Sequence, residues 1–197
     1  MDHLLKTTKH SASLSNDFCP QTLFLYGTYK QDGTPNFGLF CWFSYIRDAE
    51  LGVMACIGGS KLTKERIKAA GVFSASLVTE ALLPLADYLG KTSGYNADKM
   101  QIDAAVTQGA VLDVPVLEAS PVTFELEVKQ SVPLDGGEVF LCKIRNVLHN
   151  AALDDAQKTV EQHLQGIAPV CSTCNAYFGW DGHGMGAWGE PMKALKR

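Results

Sequence analysis

The stretch TLFLYGTYKQDGTPNFGLFCWFSYI, Thr22 to Ile46, decides the fold. Leu23, Phe24, Leu25, Tyr26 and Tyr29 form a run rich in strand-forming residues. Gln31-Asp32-Gly33 follows, and Asp-Gly between two apolar runs is a strong hairpin signal. The returning run, Phe37 to Ile46, is aromatic and almost wholly apolar, which predicts a strand buried on both faces with Trp42 as core.

Working outward, Leu51 to Ile57 (LGVMACI) reads as a third strand. Gly58-Gly59-Ser60-Lys61-Leu62-Thr63 then opens KERIKAAG, a short helix that Ser60 or Thr63 would cap and Gly71 would end. VFSASLV, Val72 to Val78, is a fourth strand, and EALLPLADYLG is a short helix stopped by Gly90. KTSGYNADKM reads as a loop with helical pieces. A second hairpin is written in Val122 to Gln130, a turn at Leu134-Asp135-Gly136-Gly137, and Val139 to Leu148. In its first strand Thr123, Glu125, Glu127 and Lys129 alternate with Phe124, Leu126 and Val128, which predicts one face in solvent. Asp154 to Leu164 is polar and reads as a surface helix or loop. About six strands, mostly joined by hairpins, argue for a mainly β fold, an antiparallel barrel with helical insertions. The simplest organisation is one domain over residues 1–197, with an irregular polar arm at 1–19.

Composition excludes several classes. Hydrophobic residues make up 46% of the 197 and charged ones 19%, so the chain is not of the disordered kind. A net charge of −4 without a dominant basic patch argues against nucleic-acid binding, and the basic tail Lys193 to Arg197 reads as a solvated end. No apolar run is long enough for a membrane span or a signal peptide, so the expected location is the cytoplasm, away from the membrane. Cys19, Cys41, Cys56, Cys142, Cys171 and Cys174 then read as thiols, with Cys41, Cys56 and Cys142 packed as small hydrophobes.

Several motifs bear on chemistry. Gly90-Lys91-Thr92 resembles the end of a phosphate-binding loop, but the glycine required five residues earlier is Leu85. Cys171-Ser172-Thr173-Cys174 is a CxxC whose plain reading is two ordinary thiols; thiol redox chemistry comes next, and zinc, with only His163 and His183 nearby, last. His183 reads as a surface histidine. The stretch Gly58 to Thr63 is the better candidate. It leaves a buried strand and opens a helix, where free amides and the helix dipole favour an anion, and Lys61 and Thr63 add a charge and a hydroxyl. Thr92 to Lys99 supplies further small polar groups and a second cation. No catalytic acid–base constellation or metal-ligand set is expected.

These pieces occur in an order that resembles the flavin reductase-like proteins with an FMN-binding split β-barrel, and most of all their flavoredoxin branch. The resemblance rests on DGTPNFGLFCWFS (32–44), GGSKLTKERIKAAGVFSASLV (58–78), ADYLGKTSGYNADK (86–99) and the Tyr-Phe-Gly that starts at Tyr177. It covers roughly residues 20–180. It implies FMN held noncovalently, with a homodimer and the site near the subunit interface. By the same resemblance, Asn36 would lie near the flavin and Trp42 beside its ring or ribityl chain. Thr63 and Lys99 would meet the phosphate, with Ser60, Lys61, Ser93 and Gly94 in support, and Tyr177 or Phe178 would be the C-terminal aromatic near the flavin.

The implied activity is a flavoprotein oxidoreductase: electrons or hydride reach FMN, with NAD(P)H as the donor, and pass to an acceptor. Two other readings stay open. One is an FMN electron carrier serving a redox partner protein without nicotinamide turnover, and the other a thiol-redox module using Cys171 and Cys174. One departure bears on the donor. Many members carry a His after the turn of the second hairpin, and here that region reads Gly136-Gly137-Glu138.

Overall fold

A computed structural model describes residues 8–173 and 175–195. Its strands are β1 (Gln21–Thr22), β2 (Phe24–Tyr29), β3 (Pro35–Phe40), β4 (Phe43–Arg47), β5 (Leu51–Gly58), β6 (Val72–Leu77), β7 (Val106–Gln108), β8 (Pro115–Leu117), β9 (Val122–Leu134), β10 (Gly137–His149), β11 (Val170–Ser172), β12 (Ala176–Gly179) and β13 (Gly184–Ala187). The α-helices are α1 (Leu62–Ala70), α2 (Leu83–Lys91) and α3 (Val160–Ile167).

Seven strands form one antiparallel sheet in the order β3-β2-β6-β9-β10-β5-β4. Its two edge strands, β3 and β4, are consecutive in the chain and joined only through Cys41 and Trp42. The sheet therefore curls until its edges approach, without a continuous hydrogen-bonded seam. Aromatic rings fill the gap: Phe24 of β2 stacks on Phe43 of β4 at 4.0 Å between centroids, and Tyr26 stacks on Phe40 at 4.8 Å. Phe73, Phe124, Leu126 and Phe140 complete this interior, and Ile67 of α1 packs into it. This is the antiparallel split barrel that the two hairpins implied.

A second core lies outside the barrel wall. Leu23, Leu25 and Phe37 turn away from the barrel interior and pack with Leu82, Leu83, Ala86 and Leu89 of the α2 region and with Val170 and Tyr177. The first strand is thus covered on both faces. A four-stranded sheet, β1-β11-β12-β13, brings the C-terminal segment onto this layer.

Several expectations are corrected. Phe37 to Ile46 is not one doubly buried strand; it breaks at Cys41-Trp42, Tyr45 is 56% exposed, and Trp42 is 50% exposed rather than core. Helix α1 ends at Gly71, whose φ of 72° suits glycine, but its N-cap is Lys61 and neither Ser60 nor Thr63 caps it. Gly90 does not stop α2; it lies inside that helix, against Leu39. Thr123 and Glu125 are buried, because the β7–β8 hairpin and its loop cover that face of β9. There the Glu125 carboxylate accepts the amides of Ala110, Val111 and Leu112 and the side chain of Asn146. The polar stretch 154–164 becomes α3 only from Val160, opened by a capping box between Thr159 and Gln162. Beyond the expected six strands, β7, β8 and the C-terminal sheet are additions. The tail is anchored rather than loose through Met192, while Lys196 and Arg197 lie outside the described residues.

Candidate functional site

The break at Cys41-Trp42 opens a cleft between the barrel edge, the start of α1, the end of α2 and the C-terminal sheet. It has two chambers. The larger, about 330 Å³, is apolar and walled by Leu39, Phe40, Trp42, Cys56, Tyr177 and Trp188. The smaller, about 190 Å³, is polar and walled by Ser60, Lys61, Thr63, Ser93, Gly94 and Lys99. Leu39, Phe40, Lys61, Gly90 and Lys91 line both, so the chambers adjoin.

Each wall has a local cause. The β5–α1 turn passes through Gly59 with φ of 68°, and the Gly59 amide donates to Gly136 O at 2.8 Å, which holds the second hairpin's tip beside the cleft. Because Lys61 caps α1 without a side-chain acceptor, the first-turn amides of that helix have no capping side chain. Trp42 lies against Gly58: a Cβ there would stand 3.4 Å from the indole. Tyr177 is held from behind by Asp87 of α2, which accepts its hydroxyl at 2.7 Å. Burial first, and then the Asp87 carboxylate, push the Tyr177 pKa well above the ordinary phenol range.

The polar chamber is electropositive. Lys99 is 3% exposed and forms no ion pair among the described residues. Burial, then the charges of Lys30 and Lys61, lower its pKa to about 8. Asn36 is fully buried; its Nδ2 donates to Thr63 Oγ1 at 3.1 Å, and its Oδ1 has no donor. Gly94 passes so close that a Cβ would lie 2.8 Å from that oxygen. An unpaired buried cation, an unsatisfied acceptor and uncapped amides are costly by themselves and suit a phosphorylated, hydroxyl-bearing ligand.

Nine of the ten sequence-derived site residues therefore gather here: Asn36, Trp42, Ser60, Lys61, Thr63, Ser93, Gly94 and Lys99 about the cleft, and Tyr177 at its back. Phe178 points the other way on β12 and lines neither chamber. Leu39, Phe40, Lys91 and Trp188 also line the cleft, and Asp87 anchors it; none of them is among the site residues expected from the sequence, where Lys91 enters only in the rejected Gly90-Lys91-Thr92 motif. In the region of the absent His, Glu138 is buried and paired with Lys68 at 2.7 Å. The Lys68 ammonium, then Ser131, hold its carboxyl below the usual range. His183 is exposed, with Nδ1 at 2.5 Å from Asp181. Cys171 is half-buried on β11, and Cys174 lies outside the described residues. Among the described residues no three His, Cys, Asp or Glu side chains gather as a metal site, and no helix is long and apolar enough to cross a membrane.

The flavin reductase like domain family matches residues 16–165. Flavoredoxin of Desulfovibrio vulgaris (Miyazaki F) is 22% identical with a TM-score of 0.75, over 88% of this chain and 92% of that one. Flavoredoxin from Methanosarcina acetivorans is 17% identical with a TM-score of 0.73, over 95% and 100%. The styrene monooxygenase flavin reductase from Pseudomonas putida S12 is 17% identical with a TM-score of 0.63, over 81% and 90%. No curated protein matches the chain.

Proposed function

Because the chain belongs to the flavin reductase like domain family, we propose that it is an FMN-binding flavoprotein oxidoreductase. The adjoining apolar and polar chambers carry this reading. FMN joins a flat apolar ring system to a phosphate through a hydroxylated linker, and the cleft offers matching surroundings in the same sequence. Lys99, Thr63 and the start of α1 would hold the phosphate, supported by Ser60, Lys61, Ser93 and Gly94. Trp42 and Tyr177 would flank the ring system, and Asn36, by donating to Thr63 Oγ1, would leave that hydroxyl free to donate to the ligand. When bound, the flavin supplies reversible hydride and electron acceptance. The protein binds it, orients it and excludes water from its ring.

NAD(P)H is the proposed donor. The whole chain would act as one flavin-binding domain, in the cytoplasm and as a homodimer, with electrons passing to an acceptor or a redox partner protein. Exposed Trp42, Tyr45 and Leu51 along the β4–β5 edge support self-association. The carrier reading draws support from the second hairpin: the region that carries a histidine in many members here holds Glu138, ion-paired with Lys68. Anaerobic absorption spectra of the FMN-loaded protein with NADH and then NADPH test the choice. Bleaching of the flavin bands makes the protein a reductase. An unchanged spectrum with both nucleotides makes it a carrier. Failure to bind FMN at all overturns both.

A further inference from the structure

A second polar cavity, of about 490 Å³, lies between the β2–β3 turn, α1 and the β7–β8 hairpin. Thr28, Lys30, Gln31, Arg66, Gln108 and Asp113 contribute its polar groups, with Tyr29 beside them. We propose that it is a binding site for a phosphate monoester carried on a hydroxylated body, such as a sugar phosphate or nucleoside monophosphate.

Thr28 carries the argument. It is 2% exposed, and its Oγ1 is buried with no hydrogen-bond partner. A hydroxyl that has lost water and gained nothing costs stability, and native folds keep few of them. Thr28 lines the cavity, and its orphaned Oγ1 lies covered behind that wall. It pairs across the sheet with Asn36, whose Oδ1 is the unsatisfied acceptor under the polar chamber. The two orphaned groups thus belong to residues paired across β2 and β3.

The charges select the ligand class. Arg66 spends its Nε donor on Tyr29 O at 2.9 Å, which fixes the side chain and leaves the other guanidinium donors of its fork. Neither Arg66 nor Lys30 forms an ion pair among the described residues. Two cations against one carboxylate favour a phosphate. Asp113, which accepts from Gln108 Nε2 at 3.2 Å, keeps acceptor capacity for a hydroxyl on the body of the ligand.

The test is calorimetric titration of the full chain with ribose 5-phosphate, AMP, ribose and adenosine, each with and without saturating FMN. The expected result is binding of a phosphorylated compound at least tenfold tighter than its unphosphorylated partner. Arg66→Ala and Lys30→Ala should each weaken it roughly tenfold or more. Thr28→Val, which keeps the shape, should weaken it severalfold. AMP tighter than ribose 5-phosphate would identify a nucleotide stacked on Tyr29, and equal affinities a sugar phosphate. FMN should change either affinity less than threefold. Competition with FMN would place the ligand in the Lys99 chamber and overturn the proposal. Equal affinity with and without the phosphate, no binding at millimolar concentration, or wild-type affinity in all three variants would do the same. If FMN itself does not bind, the flavin reading fails while this site is still measured.

Discussion

Tyr177 and Asp87, ninety residues apart, are joined by a 2.7 Å hydrogen bond behind the apolar chamber. The same buried carboxylate accepts the amides of Gly189 and Met192. One side chain on α2 therefore fixes the aromatic wall of the cleft and fastens the C-terminal segment, including Trp188, whose Nε1 donates to Ser172 Oγ at 3.1 Å. Removing Asp87 would strand three donors, one buried and two half-buried, whereas removing the Tyr177 hydroxyl strands one acceptor that keeps other partners. Asp87→Ala should cost about 3–5 kcal/mol of stability and Tyr177→Phe about 1.5–3. Urea unfolding of both variants checks the order.

The acidity of Lys99 gives a pH signature of two opposite signs. Its folded pKa of about 8 lies below the ordinary lysine value of 10.5, so the free fold binds fewer protons than the unfolded chain between those values. This contribution to the ligand-free protein's stability is therefore complete above the unfolded value and is lost as pH falls through about 8. A bound phosphate needs the charged form. FMN affinity should fall as pH rises from 7 to 9, while ligand-free stability gains from the same group. Fluorescence titration and thermal melts across that window check both signs.

Trp42 stands at the rim with half its surface in solvent, so it carries little of the core. Trp42→Ala should change stability by less than about 1.5 kcal/mol, yet weaken FMN by roughly tenfold through lost ring contact. A large loss of stability with unchanged FMN affinity would return Trp42 to a packing role. Equilibrium unfolding and FMN titration on the same sample separate the two.

Gly94 lies where any side chain meets Asn36. A Cβ would stand 2.8 Å from Asn36 Oδ1 and 3.0 Å from Leu62 Cβ, so the loop must shift. Gly94→Ala should cost about 1–3 kcal/mol as overpacking and weaken FMN more than riboflavin, because the loop walls the polar chamber. Melting temperature and the two ligand affinities measure it.

Much of this was legible in the sequence because local chemistry set it. Asp32-Gly33 and Asp135-Gly136 place both hairpins, and Gly71 ends α1, since each turn or stop is decided by its own residues. The polar chamber followed from Gly58 to Thr63 and Thr92 to Lys99 for the same reason. What escaped was set by distant chain. Glu125 alternates like a solvent-facing residue, and only the loop at 110–112 makes it a buried acceptor. Trp42 sits in an apolar run that reads as core, yet the barrel's edge turns at that point and leaves it at the rim. Asp87 looks like a polar helix residue until the C-terminal segment folds over it.

The central claim is that the polar chamber holds the phosphate of a flavin nucleotide. Affinities of FMN and riboflavin for the wild type and for Lys99→Met test it most directly, since methionine keeps the buried stem and removes the charge. The account predicts that the variant loses roughly tenfold to a hundredfold in FMN affinity, while riboflavin changes by less than threefold. Equal weakening of both ligands, or none, would contradict it.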